Sequence, residues 1–230
     1  SRNENGYPIG YFFGYKAIGV FQTQEEIDSY ISPATGKPIQ PNAAPGDTKF
    51  EDLNGDGVIS DDNEDRTMIG KPNPDWMVGL TVAADWNGFD LSAFFQGSFG
   101  ADVFDALRRY ELAAVNYTSD ALERWTGPGT SNSMPRIVLG DTPKNFRPST
   151  LLVHDASFLR LRNLQVGYTL PAQLTRKAYI QRLRFYASFD NLLTITGYKG
   201  MDPEIGSTMG IDKGVYPQAR VYTFGLNLTF

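Results

Sequence analysis

Residues 221–230 end the chain on Val-Tyr-Thr-Phe-Gly-Leu-Asn-Leu-Thr-Phe, in which Tyr222, Phe224, Leu226, Leu228 and Phe230 alternate with small or polar residues. A period of two puts the large apolar side chains on one face of an extended strand and Thr223, Gly225, Asn227 and Thr229 on the other. Such a strand needs an apolar medium against one face only. That medium is either lipid, with a wet lumen behind the strand, or the core of a half-buried soluble sheet. No run approaches the roughly 20 consecutive apolar residues of a transmembrane helix, and the mean hydropathy is -0.33. This excludes a helical membrane protein but not a barrel, in which only every second residue faces lipid.

Aromatics at 13% and 23 glycines suit a sheet with interfacial girdles and tight turns. The absence of cysteine removes disulfides, thiolate metal ligands and cysteine nucleophiles together, and the one histidine, His154, leaves a single candidate imidazole base. A net charge of -5 argues against nucleic acid, whose binders show a basic footprint. The chain starts at Ser1 with neither a methionine nor an apolar leader, so it is expected to be a portion of a longer polypeptide.

Four further strands are expected. In residues 77–86, Val78, Leu80, Val82, Ala84 and Trp86 share a face, and Asn87-Gly88 is a strong two-residue hairpin signal. The return strand sets Phe89, Leu91, Ala93, Phe95 and Phe99 against Asp90, Ser92, Gln96 and Ser98, with Phe94 on the polar side. From Trp76 to Trp86 such a strand runs about 34 Å, or about 24 Å across a bilayer at a tilt near 45°, which suits two opposite aromatic girdles. In residues 157–170, Leu164, Val166, Tyr168 and Leu170 have one parity and Leu159 and Leu161 the other, so a bulge is expected near Arg162-Asn163. In residues 183–195, Leu183, Phe185, Ala187 and Phe189 alternate with Arg182, Arg184, Tyr186, Ser188 and Asp190. Charges on alternate positions suit a wet lumen better than a dry core.

The links between these strands alternate short and long: 87–88, then 100–156, then 171–182, then 196–218. Outer-membrane barrels have short periplasmic turns and long extracellular loops, so a periplasmic C-terminus would put residues 1–74 and both long links outside the cell. The organisation expected is an extracellular region over 1–74 and barrel strands with their loops over 75–230. Within the loops, residues 101–114 and 119–125 have helix-like spacing, as in Val103, Leu107 and Tyr110, and Arg108-Arg109 reads as solvated charge.

The clearest chemical motif lies at 52–65. Asp52, Asn54 and Asp56 at positions 1, 3 and 5, Gly57 at 6 and the carbonyl of Val58 at 7 reproduce most of an EF-hand loop. Position 12 is Asn63, so Asp61, Glu64 or Asp65 would have to close the site. A structural Ca2+ held by Asp52, Asn54, Asp56, Val58 and Asp61 or Asp65 is the expectation; an acidic turn without metal is the alternative. His154 beside Asp155 could act in acid–base chemistry but suits a surface pair better, and Tyr11, Tyr110, Tyr117 and Trp125 could stack on sugar rings or pack the loops.

Several stretches carry a family likeness. They are Gly10-Tyr11-Phe12-Phe13-Gly14-Tyr15 with Gly19-Val20-Phe21-Gln22, Pro45-Gly46-Asp47 before Asp52-Leu53-Asn54-Gly55-Asp56-Gly57, and Asp65-Arg66-Thr67 with Ile69-Gly70. Arg124-Trp125-Thr126-Gly127, Pro135-Arg136, Ser157-Phe158-Leu159-Arg160-Leu161, Asn191-Leu192, Asp202-Pro203-Glu204 and Tyr216-Pro217 follow in order. The chain resembles the C-terminal part of a SusC/RagA-type TonB-dependent outer-membrane transporter. The resemblance implies an all-β fold: a transmembrane antiparallel β-barrel segment, the last five strands of a 22-stranded barrel with a plugged lumen, with long extracellular loops. It further implies as partners the N-terminal barrel and plug, TonB through that missing part, a SusD-like surface lipoprotein, outer-membrane lipid, and a glycan or peptide cargo. Phe230 would be read by the barrel-assembly machinery. Acid, base and nucleophile are not assembled anywhere in the sequence, so no enzyme is expected. The alternative function is a calcium-stabilised, lectin-type surface β-domain that binds carbohydrate.

Overall fold

Period-two patterning is realised as one antiparallel meander in the computed structural model, which describes residues 1–108, 110, 112, 116–204 and 209–230. Its strands, in spatial order, are β1 (Trp76–Trp86), β2 (Phe89–Phe99), β3 (Phe158–Thr169), β4 (Arg182–Thr196) and β5 (Val221–Thr229). β1 and β2 pair without interruption from Trp76↔Phe99 to Trp86↔Phe89. Asn87 and Gly88 close the hairpin with φ of 49° and 88°, the left-handed pair that a right-twisted two-residue turn requires.

The bulge is where the parity change demands it. Opposite β2 the register passes from Phe94↔Asn163 to Phe95↔Leu161, which leaves Arg162 as the extra residue. Opposite β4 it passes from Asp190↔Asn163 to Leu193↔Leu161, and Asn191 there adopts φ 53°. One extra residue restores Leu159 and Leu161 to the face that carries Leu164, Val166 and Tyr168. As a result, no charged side chain among the paired residues stands on that face, which runs from Trp76 and Leu80 on β1 to Tyr222, Phe224 and Leu226 on β5. Nothing described covers it: Trp76, Trp86 and Phe224 are 72%, 76% and 75% exposed.

The opposite face is charged and self-paired. Arg184 on β4 reaches across β3 to Asp90 on β2, donating from Nε to Oδ1 at 2.8 Å and from Nη2 to Oδ2 at 2.5 Å. The bridge passes over Gly167, where a Cβ would lie 2.5 Å from Asp90 Oδ1 and from Arg184 Nη2. Asn163 donates to Asp190 at 2.7 Å and to Ser188 at 3.1 Å.

The meander belongs to one compact unit (Pro74–Ala101, Asp155–Ile205, Val215–Phe230); the rest (Ser1–Asn73, Asp102–His154, Gly206–Gly214) forms a second. The second unit is built from short pieces. Phe12–Tyr15 pairs with Arg66–Gly70, and Ala17–Val20 with Thr48–Phe50. The helix Gln24–Ser29 is capped by Thr23, whose hydroxyl accepts from Glu26 N. Tyr11, Phe12, Tyr15, Phe21, Ile27 and Phe50 are buried at its centre.

The helix expected over 101–114 does not form where the residues are described. Asp102–Asp105 is a strand that buries Val103 and pairs in parallel with Ile211–Asp212. Its backbone groups are satisfied by that neighbour, which overrides the 3.6-residue spacing. Arg109, Glu111 and residues 113–115 lie outside the described residues. Residues 119–125 form only a short 3-10 helix, Ser119–Glu123, because Arg124 is already extended.

Far-apart segments of this unit are stitched at Asp47, which is buried. Arg136 donates to it from Nε at 2.6 Å and Nη2 at 3.1 Å, Asn145 Nδ2 at 3.1 Å and Ala44 N at 2.8 Å. Asn145 Oδ1 in turn accepts the Thr48 N–H at 2.8 Å. The preceding Gly46, at φ 91°, lies flat against the Trp125 ring, and any Cβ there would enter the indole. Gly46→Ala combines that overlap with a left-handed φ and is expected to destabilise this unit by roughly 1–3 kcal/mol. Hydrogen exchange in residues 44–50 and 124–136 should rise, with the meander unaffected; unchanged exchange would contradict the role given to this joint.

Candidate functional site

Two strand arginines and two loop carboxylates form the most buried charge cluster of the sheet-bearing unit. Arg160 on β3 is 2% exposed. It donates from Nη2 to Asp202 at 2.5 Å, from Nη1 to Glu204 at 2.9 Å and from Nε to the Thr194 hydroxyl at 2.9 Å. Arg162, at the bulge, pairs with the other Glu204 oxygen and donates to Gln96 at 2.6 Å and Asn191 at 3.1 Å. The Asp202-Pro203-Glu204 segment of the β4–β5 link is therefore clamped onto the charged face of the sheet. Asp202 also accepts the backbone N–H of Glu204 and of Gln218, both at 2.9 Å. These residues appear in the sequence as family-like stretches without a role. Two arginines close together on one strand were the available signal, but their acids lie 42 positions away and only folding brings them together.

The acidic loop at 52–65 is tightly turned. Asp52 accepts Gly55 N at 2.8 Å and Gly57 N at 2.9 Å; Asn54 accepts Asp56 N at 3.0 Å, and Asp56 accepts Val58 N at 2.8 Å. The Asn54 amide donates to Asp56 and to Glu64, both at 3.0 Å, so Glu64 faces the first half of the loop. The two acids expected to close it point elsewhere. Asp61 pairs with Lys144, whose ammonium holds its carboxyl below the usual range. Asp65 is fully buried and accepts Leu53 N at 3.2 Å and Ser60 N at 2.9 Å, the work of a turn-stabilising side chain. Among the described residues no group of three or more His, Cys, Asp or Glu stands in a metal-holding arrangement.

His154 does not work with Asp155. Its Nε2 lies 3.8 Å from Asp105 Oδ2, and Asp155 instead accepts Ser157 N at 2.8 Å. Of the loop aromatics, Tyr11 and Tyr110 are buried, and Trp125 donates its indole N–H to Gln22 at 3.1 Å, so these pack the loops. Tyr117 stays partly exposed, its hydroxyl donating to Leu112 O at 2.9 Å. Arg108 is not merely solvated: it is paired with Asp105 at 2.9 Å and Asp120 at 2.6 Å. Phe230 follows the last strand and is 75% exposed.

Burial alone would raise the Asp202 carboxyl, but the N–H groups of Gln218 and Glu204 and the Arg160 guanidinium outweigh it and hold it below its ordinary range. A depressed folded value means that the stabilisation is complete above the unfolded pKa of about 3.9 and is lost as pH falls through the folded value. Hydrogen exchange of residues 198–204 in the full-length protein should therefore be flat from neutral pH down to about 5 once corrected for the intrinsic rate, and should lose protection only below about pH 4. Asp202→Asn should remove that protection at every pH, because it leaves Arg160 buried with one partner fewer; normal protection in the variant would show that the clamp does not depend on the ion pair.

No family model matches the chain. It is 34% identical over 236 residues, 98% of its length, to TonB-dependent receptor P3 of Formosa agariphila, and covers 22% of that protein. It is 30% identical over 232 residues, 100% of its length, to TonB-dependent receptor SusC of Bacteroides thetaiotaomicron, covering 21% of it. Among solved structures it superposes on a chain of the RagAB peptide transporter with a TM-score of 0.71 at 28% identity, over 98% of this chain and 23% of that one. These relatives are named as receptors and transporters, not as enzymes, and the chain spans between 21% and 25% of the length of those with curated names. Over nearly its whole length, then, the chain is a homologue of one segment of the TonB-dependent receptors of SusC type, with the fold of the matching part of a RagAB transporter.

Proposed function

We propose that the chain is the C-terminal part of a TonB-dependent outer-membrane transporter that imports glycans or peptides, with β1–β5 as the last five strands of a 22-stranded barrel. One observation carries the reading: an uncharged, uncovered face continuous through all five strands, backed by a charged and internally paired one. Soluble monomers rarely expose apolar patches beyond a few hundred Å². A lectin-type surface domain would have to bury this face; a bilayer accepts it as it is. The 11 residues of β1, tilted by about 45°, match an apolar band about 25 Å tall between Trp76 and Trp86. The outer edges of β1 and β5 would pair with the remaining barrel strands, since no open sheet edge persists in lipid.

In this reading the turns at 87–88 and 170–181 and the C-terminus are periplasmic. Residues 1–74 and the two long links are extracellular and meet a SusD-like lipoprotein, while the plug and the TonB contact lie in the remainder of the protein. A RagAB structure is described as a peptide transporter, which makes peptide one of the two cargo classes to test.

Lipid exposure is tested by a face comparison in which mature protein is measured in outer-membrane fractions. Leu226→Arg, on the apolar face of β5, is expected to cost about 2–4 kcal/mol at mid-bilayer and to cut abundance sharply. Thr223→Arg, on the opposite face, should be tolerated. Phe230→Asp should lower abundance more than it lowers the melting temperature of the assembled barrel, since a terminal ring adds only about 1.5–3 kcal/mol of burial. Equal losses for Leu226→Arg and Thr223→Arg would defeat the barrel reading, and normal abundance of Phe230→Asp would defeat an assembly signal.

Calcium is proposed as a structural ion of the 52–65 loop. Asp52, Asn54, Asp56 and the Val58 carbonyl supply hard oxygen donors, and Glu64, which already faces Asn54, is better placed than Asp61 or Asp65 to complete them. Chelation should speed hydrogen exchange over residues 45–70 and leave β1–β5 unchanged, and Asp52→Asn should abolish the response. Exchange indifferent to chelation would mean that the loop is an acidic turn only.

A further inference from the structure

A cavity of about 650 Å³ in the loop-built unit is lined by both aromatic and cationic side chains, among them Tyr15, Arg66, Arg108, Lys144, Phe146 and Arg147. Its volume lies within the roughly 300–1,000 Å³ usual for small-ligand sites. The cations are not equivalent. Arg108 is neutralised by Asp105 and Asp120, and Lys144 is paired with Asp61. Among the described residues Arg66 has no ion pair, and that of Arg147 is a long one to the same Asp61. Both guanidinium groups lie over the single ring of Tyr15, at 5.0 Å and 4.7 Å from its centre, so two cations share one aromatic side chain. Asp61 lies 3.8 Å from Arg147 Nη1 and is already engaged by Lys144. Arg66 Nε and Arg147 Nη1 are buried without a hydrogen-bond partner, although buried guanidinium donors normally find one. Other donors of both side chains are used: Arg66 Nη2 bonds Tyr15 Oη at 3.2 Å and Asp61 O at 2.9 Å, and Arg147 Nε bonds Lys144 O at 3.1 Å.

The backbone beside these groups is strained. Asp141 and Lys144 hold φ of 42° and 59°, in the left-handed region that Asp adopts readily and Lys seldom does. Asp141 fixes that conformation by accepting Asn145 N at 2.8 Å and Phe146 N at 3.0 Å, which sets Lys144, Phe146 and Arg147 along the cavity wall. Strain of this type is held in place by the surrounding contacts and clusters at binding sites.

We propose that this cavity is an oxyanion site that takes the carboxylate of a small organic ligand between Arg66, Arg147 and Lys144. Planar guanidinium edges match a carboxylate, and the Tyr15 and Phe146 rings favour an anion carried on an organic body over a bare hydrated ion. Asp61, Asp105 and Asp141 also line the cavity, so a singly charged carboxylate suits it better than a dianionic phosphate. The carboxylate could belong to an acidic peptide or to a uronic acid. The site goes beyond the transport reading, and its test is a binding measurement that does not depend on uptake.

Tetraglutamate and tetragalacturonate are titrated separately, by calorimetry at low salt, into the full-length protein in neutral detergent. At least one should bind, and the one that binds assigns the carboxylate to peptide or to sugar acid. Arg147→Gln should weaken binding about tenfold, as loss of a charge-assisted pair does. Lys144→Gln, at a half-exposed position that can change without unfolding the unit, should weaken it about threefold or more, within the range of an exposed ion pair. Arg2→Gln, which loses a pair with Glu4 and a contact with the Phe13 ring, none of them lining the cavity, is the control and should bind as wild type. Binding of neither probe, wild-type affinity in both Arg147→Gln and Lys144→Gln, or an equal loss in Arg2→Gln would overturn the assignment.

Discussion

A sheet with one face in an apolar medium must keep every large apolar side chain on that face, and a single slip of register would turn a whole strand outside in. In this chain the constraint is met through one residue. Arg162 is looped out of the β3 ladder, so the two halves of β3, which have opposite parity, present their leucines to the same side. The same insertion is answered on β4 by Asn191 in a left-handed conformation, so the correction passes across the sheet instead of stopping at one strand pair. The uninterrupted apolar face is a consequence of that bulge.

The bulge also aims charge. Arg162 leaves the ladder toward the charged face, where with Arg160 it holds Glu204 and Asp202. Arg160 is buried, so removing either acid would leave a guanidinium out of water with a single carboxylate to balance it, which costs stability. The link between β4 and β5 is thus fastened at its start by the same irregularity that keeps the opposite face apolar. Further along the sheet, the Asp90–Arg184 bridge is possible only because Gly167 leaves its path open.

The loop-built unit solves a different problem, since its strands are too short to bury a core by pairing alone. Its cohesion comes from side chains that satisfy backbone groups of distant segments. Asp47, Asn145 and Arg136 form one such knot, and Gly46 under the Trp125 ring forms the packing contact beside it. Tyr15, with a guanidinium from each of two segments over its ring, forms another. The two units hold irregular backbone in different ways: in the loop unit the Asp141 side chain caps the turn that holds Asp141 and Lys144 left-handed, whereas in the meander the left-handed Asn87 and Asn191 sit at the hairpin turn and at the bulge.

Much of the meander was legible from residue order. Period-two alternation, the Asn87-Gly88 turn and the parity change near Arg162 are local signals, and each fixes a strand, a turn or a bulge without knowledge of distant residues. Helix-like spacing after Gly100 was local too, but it was outweighed where Asp102–Asp105 found backbone partners in Ile211–Asp212, more than a hundred residues away. The acidic loop shows the same division. Its acidic spacing was readable from residue order, but that Asp61 meets Lys144 and that Asp65 accepts the N–H groups of Leu53 and Ser60 was not. Sequence by itself determined which face of each strand is apolar, because the pleat converts parity into direction. Only the tertiary structure decided which charges meet, as with Arg160 and Asp202 or Arg66 and Arg147, because an ion pair or a shared ring depends on distance in space and leaves no period in the sequence.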